Sequence, residues 1–314
     1  MSAAAATAYT LPSDDPAPTA EALRLVAAEP LPTPLSIEAE LERLQRDLSA
    51  VQSELAEMRQ RDQSLRFYAQ RLDEELKLAA RVQQDFLPKT LPQVGRVRFN
   101  VIYRPAGFVS GDLYDVMRLD ETNVGIYMAD AVGHGMPAAL LTMFLKQALV
   151  TKEILSTGYR LLTPGQAMER LNDALVAQNL SQATFATAVY GTLDTRSLTL
   201  TIARGGHPTP IRLTKEGEVQ PLEAEGSLLG IFPNEKFAEH TMQLETGDRV
   251  FLFTDGVEVA FGGDRTLDTN QWREEIRNRR ELATASLMSD LARLVDAGGK
   301  PLKDDLTMIV LEVE

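Results

Sequence analysis

The sequence predicts an α+β fold, antiparallel β-sheets flanked by helices, preceded by a long coiled-coil helix. Three patterns carry that expectation. An apolar heptad runs without proline from Ile37 to Phe86. Beyond Pro88, apolar runs of strand length appear, and 186–203 reads as two of them joined at a turn near Asp194-Thr195, the mark of hairpins rather than of repeated crossovers. Between the runs lie stretches with helical spacing of apolar residues.

In chain order, residues 1–36 are rich in Ala, Pro, Thr and Asp, with prolines at 12, 16, 18, 30, 32 and 34. Such a segment buries too little to offset its ordering entropy and is expected to be a disordered lead. Its one apolar patch, Leu23-Arg24-Leu25-Val26, reads as a short docking motif. From residue 37 to 86 two rows keep a seven-residue spacing. One is Leu41, Leu48, Leu55, Ala69 and Leu76, broken by Asp62; the other is Ile37, Leu44, Val51, Met58, Leu65, Leu72, Ala79 and Phe86. An a/d seam of that length, roughly 75 Å at 1.5 Å per residue, is too narrow for a core helix and suits a parallel dimer. Asp62 weakens the seam locally, which serves register or a switch. A single charged helix in solvent, or one packed on the next domain, is the plainer alternative.

Residues 87–314 form the mixed domain. Strands are expected at 97–103, 124–129, 186–193, 198–203, 250–254 and 306–313, and helices at 137–155, 164–179, 270–280 and 283–297. Pro137 suits the first turn of a helix.

Composition narrows the function. The 314 residues are 44% hydrophobic and 25% charged, ordinary for a globular protein. The net charge of −13 argues against nucleic acid and against anionic lipid. Cysteine is absent, which removes disulfides, thiolate metal sites and thiol nucleophiles. No apolar run reaches the length of a membrane span, and no basic residue precedes Arg24 as a signal peptide would need. The expectation is a cytoplasmic protein.

Four acidic clusters carry the chemistry: Gly111-Asp112-Leu113-Tyr114-Asp115, Asp130-Ala131-Val132-Gly133-His134-Gly135, Thr254-Asp255-Gly256 and Asp304-Asp305-Leu306-Thr307. Any one alone reads as a turn. Three of them abut strand-like runs, however, and carboxylates at strand ends beside glycines are how hard divalent cations are commonly held. Two such cations can share a water, lower its pKa and aim it at phosphorus. No Gly-x-Ser-x-Gly elbow and no phosphate-binding Gly-x-x-x-x-Gly-Lys-Ser/Thr loop is present.

In order and wording these clusters resemble the PPM family of metal-dependent serine/threonine protein phosphatases, above all its SpoIIE/RsbU-type branch. The resemblance covers about residues 78–314. It includes Gln83-Gln84-Asp85-Phe86-Leu87-Pro88, Val109-Ser110-Gly111-Asp112, Gly205-Gly206-His207-Pro208 and Phe253-Thr254-Asp255-Gly256-Val257 besides the other clusters. It implies two stacked antiparallel sheets flanked by helices, with two Mn2+ or Mg2+ ions at one end. By the same resemblance Asp130 bridges both ions and the Ala131 carbonyl completes the second site. Asp255 and Asp304 complete the first, and Asp112 lies beside the second, directly or through water. Asp115 and Asp305 serve structure or the outer shell.

His134 has two readings: a general acid for the leaving seryl or threonyl oxygen, or a hydrogen-bond partner of a ligand carboxylate. His207 is expected to be a structural turn residue; Arg104, upstream of the first acidic cluster, reads as a phosphate contact or, more plainly, as a surface residue; His240 has no motif around it. The sequence departs from the family pattern in two places. Glu258 stands one position before the usual acidic site, which Val259 occupies, and Val132 replaces a small residue before Gly133.

The resulting expectation is a phosphoprotein phosphatase acting, through a metal-bridging water, on a phosphoserine or phosphothreonine of a bacterial regulatory protein, typically an anti-sigma-factor antagonist. It would be homodimeric, with an upstream regulator acting on the coiled coil. The rival from another class is a catalytically silent coiled-coil interaction module with a phosphatase-like domain. A second is hydrolysis of a small phosphoester or signalling nucleotide by the same metals.

Overall fold

The computed structural model describes residues 34–180, 184–261, 271–297 and 302–314. Of the lead expected at 1–36, residues 1–33 with the patch at 23–26 lie outside the described residues. The chain divides into two compact units, Met1–Ala69 and Gln70–Glu314. A single helix, α1 (Pro34–Phe86), belongs to both.

In the first unit the apolar rows of α1 face solvent: Leu41, Leu44, Leu48, Val51, Leu55, Met58 and Leu65 are all exposed. Ion pairs at i,i+4 spacing support the helix, Arg66 with Asp62 at 2.9 Å among them. Such pairs add only a few tenths of a kcal/mol each. Asp62, the break in the heptad, is thereby an ion-pair partner on its own helix.

The second unit is a four-layer sandwich. Its strands and helices follow as β1 (Val97–Arg104), β2 (Asp112–Arg118), β3 (Asn123–Ala131), α2 (Met136–Ala148), β4 (Lys152–Leu155), β5 (Gly158–Leu161), α3 (Pro164–Ala177), β6 (Ala186–Asp194), β7 (Thr199–Gly205), β8 (Ile211–Leu213), β9 (Val219–Pro221), β10 (Glu239–Gln243), β11 (Arg249–Phe253), α4 (Asp255–Ala260), α5 (Gln271–Asn278), α6 (Thr284–Ala297) and β12 (Leu306–Val313). One sheet has the order β1-β12-β11-β8-β9 and the other β10-β7-β6-β3-β2, every pairing antiparallel.

Alternation along the strands explains the layers, because successive side chains point to opposite faces. On β12, Ile309, Leu311 and Val313 join Ile126, Met128, Val189, Val250 and Leu252 in a core between the sheets. The intervening Met308 and Val310 pack with Phe251, Phe253, Trp272, Leu287 and Leu291 under α5 and α6. On the far side, Tyr127, Ala129 and Tyr190 of the second sheet meet Leu145, Met168, Leu171 and Leu175 of α2 and α3. Strands buried on both faces read as continuous apolar runs, which is why 306–313 was predicted to the residue.

The helix expected at 137–155 is shorter. It ends at Ala148, where Leu149 turns extended, and β4 and β5 form a hairpin instead. Apolar spacing continues through Leu149, Val150, Ile154 and Leu155, which imitates a helix. The β-branched Val150, Thr151 and Ile154 favour the strand, and the Thr151 carbonyl accepts the Leu162 N–H at 3.0 Å. By contrast α3 starts where expected, on a reciprocal cap between Thr163 and Gln166 with Pro164 in its first turn. Among the described residues no helix is long and apolar enough to cross a membrane.

Candidate active site

All four acidic clusters arrive at one end of the sandwich. The register of β2 on β3 sets Asp112 directly opposite Asp130, a like-charge pairing that costs stability unless something offsets it. Asp112 is buried, 2% exposed. Its Oδ2 accepts hydrogen bonds from the hydroxyls of Thr254 at 2.8 Å and Thr307 at 2.6 Å. Those threonines come from the other sheet and also bond each other, Thr307 N–H donating to Thr254 Oγ1 at 3.0 Å. Asp112 therefore ties the start of β2 to the end of β11 and the start of β12. Burial, followed by the charge of Asp130, pushes its carboxyl well above the usual range, and the two hydroxyls oppose the shift.

The third and fourth clusters meet each other. Asp255 opens α4 rather than ending a strand. Gly256 follows it so closely against the Asp304–Asp305 segment that a Cβ there would stand 1.9 Å from the Asp305 carbonyl oxygen. Asp305 holds the loop before β2, accepting the Ala106 N–H on Oδ1 and the Gly111 N–H on Oδ2, each at 2.7 Å. Asp304 Oδ1 accepts the Asp305 N–H at 3.0 Å. Asp115 pairs instead with Lys146 of α2, away from this cluster.

Beyond β3 the backbone turns through Gly133 and Gly135, with φ of 90° and 75°, values that glycine adopts without penalty. Gly111 is a close approach too: a Cβ there would be 3.2 Å from the Ala131 carbonyl oxygen. The turn leaves His134 exposed on a pocket of about 360 Å³ shared with Leu76, Phe108, Lys303, Asp304 and Asp305. His207 is different. It is fully buried, with Nδ1 2.8 Å from Thr187 Oγ1. Its pKa is lowered to about 3 by burial and then by Arg204, whose guanidinium donates to the His207 carbonyl at 2.6 Å. Its Nε2 lacks a partner at hydrogen-bonding geometry, although the Phe253 carbonyl opposes the shift slightly. Arg104 pairs with Asp296 at 3.6 Å on the surface.

Three contacts were not anticipated. Thr254 and Thr307 lie inside the third and fourth acidic clusters, where nothing in the sequence gives them a role. Gln83 of α1 is buried, its amide donating to the Ser110 carbonyl at 2.7 Å and accepting the Ser110 N–H at 2.9 Å. A glutamine buried near the end of an otherwise charged helix leaves no trace in hydrophobic periodicity.

The donor set suits a hard divalent cation: carboxylates and carbonyls only, at strand ends, with two carboxylates forced together where a positive charge would relieve them. Among the described residues no three His, Asp or Glu side chains already stand as a ready-made cation cluster. Asp112 and Asp130 are the pair that the strands themselves bring side by side.

Comparison with known proteins follows the same lines. The family described as stage II sporulation protein E (SpoIIE) matches residues 120–314. The phosphoserine phosphatase RsbU of Bacillus subtilis is 31% identical over 257 residues, 80% of this chain and 74% of that protein. Among solved structures, the SiaA-PP2C domain of Pseudomonas aeruginosa superimposes with a TM-score of 0.63 at 22% identity, covering 78% of this chain and 98% of that one. RsbX in complex with magnesium gives a TM-score of 0.54 at 18% identity, covering 72% and 99%. At these identities the structures bear on the fold alone.

Proposed function

The chain belongs to the SpoIIE family of phosphoprotein phosphatases, and from that premise we propose that it hydrolyses phosphoserine or phosphothreonine on a bacterial regulatory protein with the help of two Mn2+ or Mg2+ ions. The observation that supports the reading is the pairing of Asp112 with Asp130 across β2 and β3, with the Thr254-Asp255-Gly256 and Asp304-Asp305 segments packed against each other at the same end of the sandwich. The relative RsbU is named a phosphoserine phosphatase, and RsbX of the same fold binds magnesium.

In this reading Asp130 and the Ala131 carbonyl would hold the second ion, Asp130, Asp255 and Asp304 would hold the first, and Asp112 would lie beside the second. Bound divalent ions supply Lewis acidity toward phosphorus and lower the pKa of the attacking water. The chain's own residues do the rest. Thr254 and Thr307 fix the rotamer of Asp112 through its Oδ2. The Asp305 carboxylate and Gln83 fix the loop at 106–111, and Asp305 also fixes the start of β2. His134, exposed on the pocket and free of any hydrogen bond to a described carboxylate, gives a proton to the departing seryl or threonyl oxygen. The substrate is an anti-sigma-factor antagonist, the chain pairs as a homodimer through residues 37–86, and an upstream regulator acts on that coiled coil. The same division gives residues 87–314 as the phosphatase domain.

The test is release of phosphate from a phosphoseryl protein with and without manganese, for the intact chain and for Asp130→Ala. Release that needs the metal and falls by more than about 100-fold in the variant is expected. No release from folded, manganese-loaded chain would favour the silent interaction module.

A further inference from the structure

The pocket beside the carboxylates has two unlike walls. One is apolar, built from Leu76 of α1 and Phe108; the other carries His134, Lys303 and Asp304. Lys303 is the one lysine or arginine among the described residues that line it. It is exposed, lies in a bend three residues before β12, and forms no ion pair with any described residue. Neighbouring cations are engaged elsewhere. Lys77 reaches to 5.9 Å over the Phe108 ring, but its Nζ donates to Asp73 at 2.6 Å. Arg104 is paired with Asp296.

Charge decides why a free lysine matters at this spot. Two divalent ions carry four positive charges, and the four carboxylates proposed to hold them carry four negative ones. Against a chain of net charge −13, the metal centre alone therefore offers a phosphate dianion little net attraction. A lysine on the pocket wall supplies a local cation without changing the ligand set, and a charge-assisted N–H···O bond is about twice as strong as a neutral one. The base of that lysine is held still, because Asp305 two residues on is bonded to both Ala106 and Gly111.

We propose that Lys303 binds the phosphate group of the phosphoseryl or phosphothreonyl substrate, orienting it between His134 and the Asp304 carboxylate. The proposal rests on the phosphatase reading for the identity of the substrate, but the phosphate contact itself is testable apart from turnover. Lys303 contacts substrate and not metal, so it separates substrate affinity from metal affinity.

The experiment titrates inorganic phosphate calorimetrically into magnesium-loaded full-length chain, comparing the native protein with Lys303→Ala and Lys303→Arg, and magnesium affinity is measured for each. Phosphate affinity is expected to drop by about 10-fold in Lys303→Ala, to recover largely in Lys303→Arg, and magnesium affinity to stay level. With a phosphoseryl protein, KM rises by a similar factor while kcat changes little. Equal phosphate affinity in the native chain and Lys303→Ala overturns the proposal, as does a native chain that binds no phosphate or a loss that arginine fails to restore. Phosphate binding that depends on Lys303 in a chain that hydrolyses no phosphoprotein would instead break the phosphatase reading and leave this contact standing.

Discussion

The exposed seam of α1 and the acidic end of the sandwich break opposite rules. The seam leaves leucines in water, with Leu44 63% and Leu65 69% exposed. The sandwich end buries polar and charged groups, with Asp112, Thr254, Thr307 and His207 at 2% or less. Apolar burial is worth about 25 cal/mol per Å², so a stripe of exposed leucines forgoes stability at every heptad. Burying a carboxylate beside another carboxylate costs stability as well. Natural sequences break local rules mainly at functional places. The comparison teaches that this chain has two such places of different kinds, one asking for apolar cover and the other for positive charge.

Three changes probe that contrast. The largest effect belongs to Gly256→Ala. The added Cβ would lie 1.9 Å from the Asp305 carbonyl oxygen, and backbone on backbone has no flexible side chain to yield. Displacing the start of α4 from the start of β12 is expected to destabilise the sandwich by about 3 kcal/mol or more. Thermal unfolding measures it. A variant that unfolds at the native temperature would show that the third and fourth clusters are not locked together as described.

An intermediate effect comes from pH. His207 titrates near 6.5 in an unfolded chain but only at about 3 when folded. Above pH 6.5 both states hold it neutral and it contributes no pH dependence. As pH falls below 6.5 the unfolded chain takes up a proton that the folded chain refuses, so stability is lost progressively down to about pH 3. At pH 5 the loss amounts to about 2 kcal/mol, at roughly 1.4 kcal/mol per pH unit. His207→Gln removes this proton, and the denaturation midpoint should then vary less between pH 7 and pH 5 than in the native chain. An unchanged slope would mean that the imidazole is solvated, and the contrast with the exposed seam would lose one of its buried members.

How much of this was legible beforehand differs between the regions for physical reasons. The long strands could be read because both faces are buried and the runs are continuous, as in 306–313. The heptad could be read because its period is regular, but periodicity says nothing about what covers the seam. The clusters holding Asp112, Asp130, Asp255 and Asp304 could be singled out because they recur in a distinctive order, three of them against strand-like apolar runs. Thr254 and Thr307 carry no signal in the sequence because a hydroxyl that clamps a carboxylate across two sheets is a tertiary fact, the two lying 53 positions apart. Gln83 carries none for the same reason. The hairpin at 152–161 was lost because four apolar residues kept helical spacing past the point where Leu149 turns extended.

The smallest effect on the sandwich tests the seam itself. Leu48 and Leu55 lie on one row of α1 within Met1–Ala69, both exposed. Replacing both by lysine removes no buried contact of the lone chain, so the unfolding temperature of the sandwich should move by less than the equivalent of about 0.5 kcal/mol. If the seam is where two copies meet, the same variant places like charges in the facing a/d layer and should convert a dimer into a monomer in sedimentation equilibrium. Helix content would fall with it, because helices in proteins owe most of their stability to packing and an unpacked one is marginal in water. A native chain that sediments as a monomer, or a variant that remains dimeric, would assign the exposed leucines to some other cover. A sandwich that loses stability in the variant would show instead that the seam and the acidic end are one cooperative structure rather than two independent exceptions.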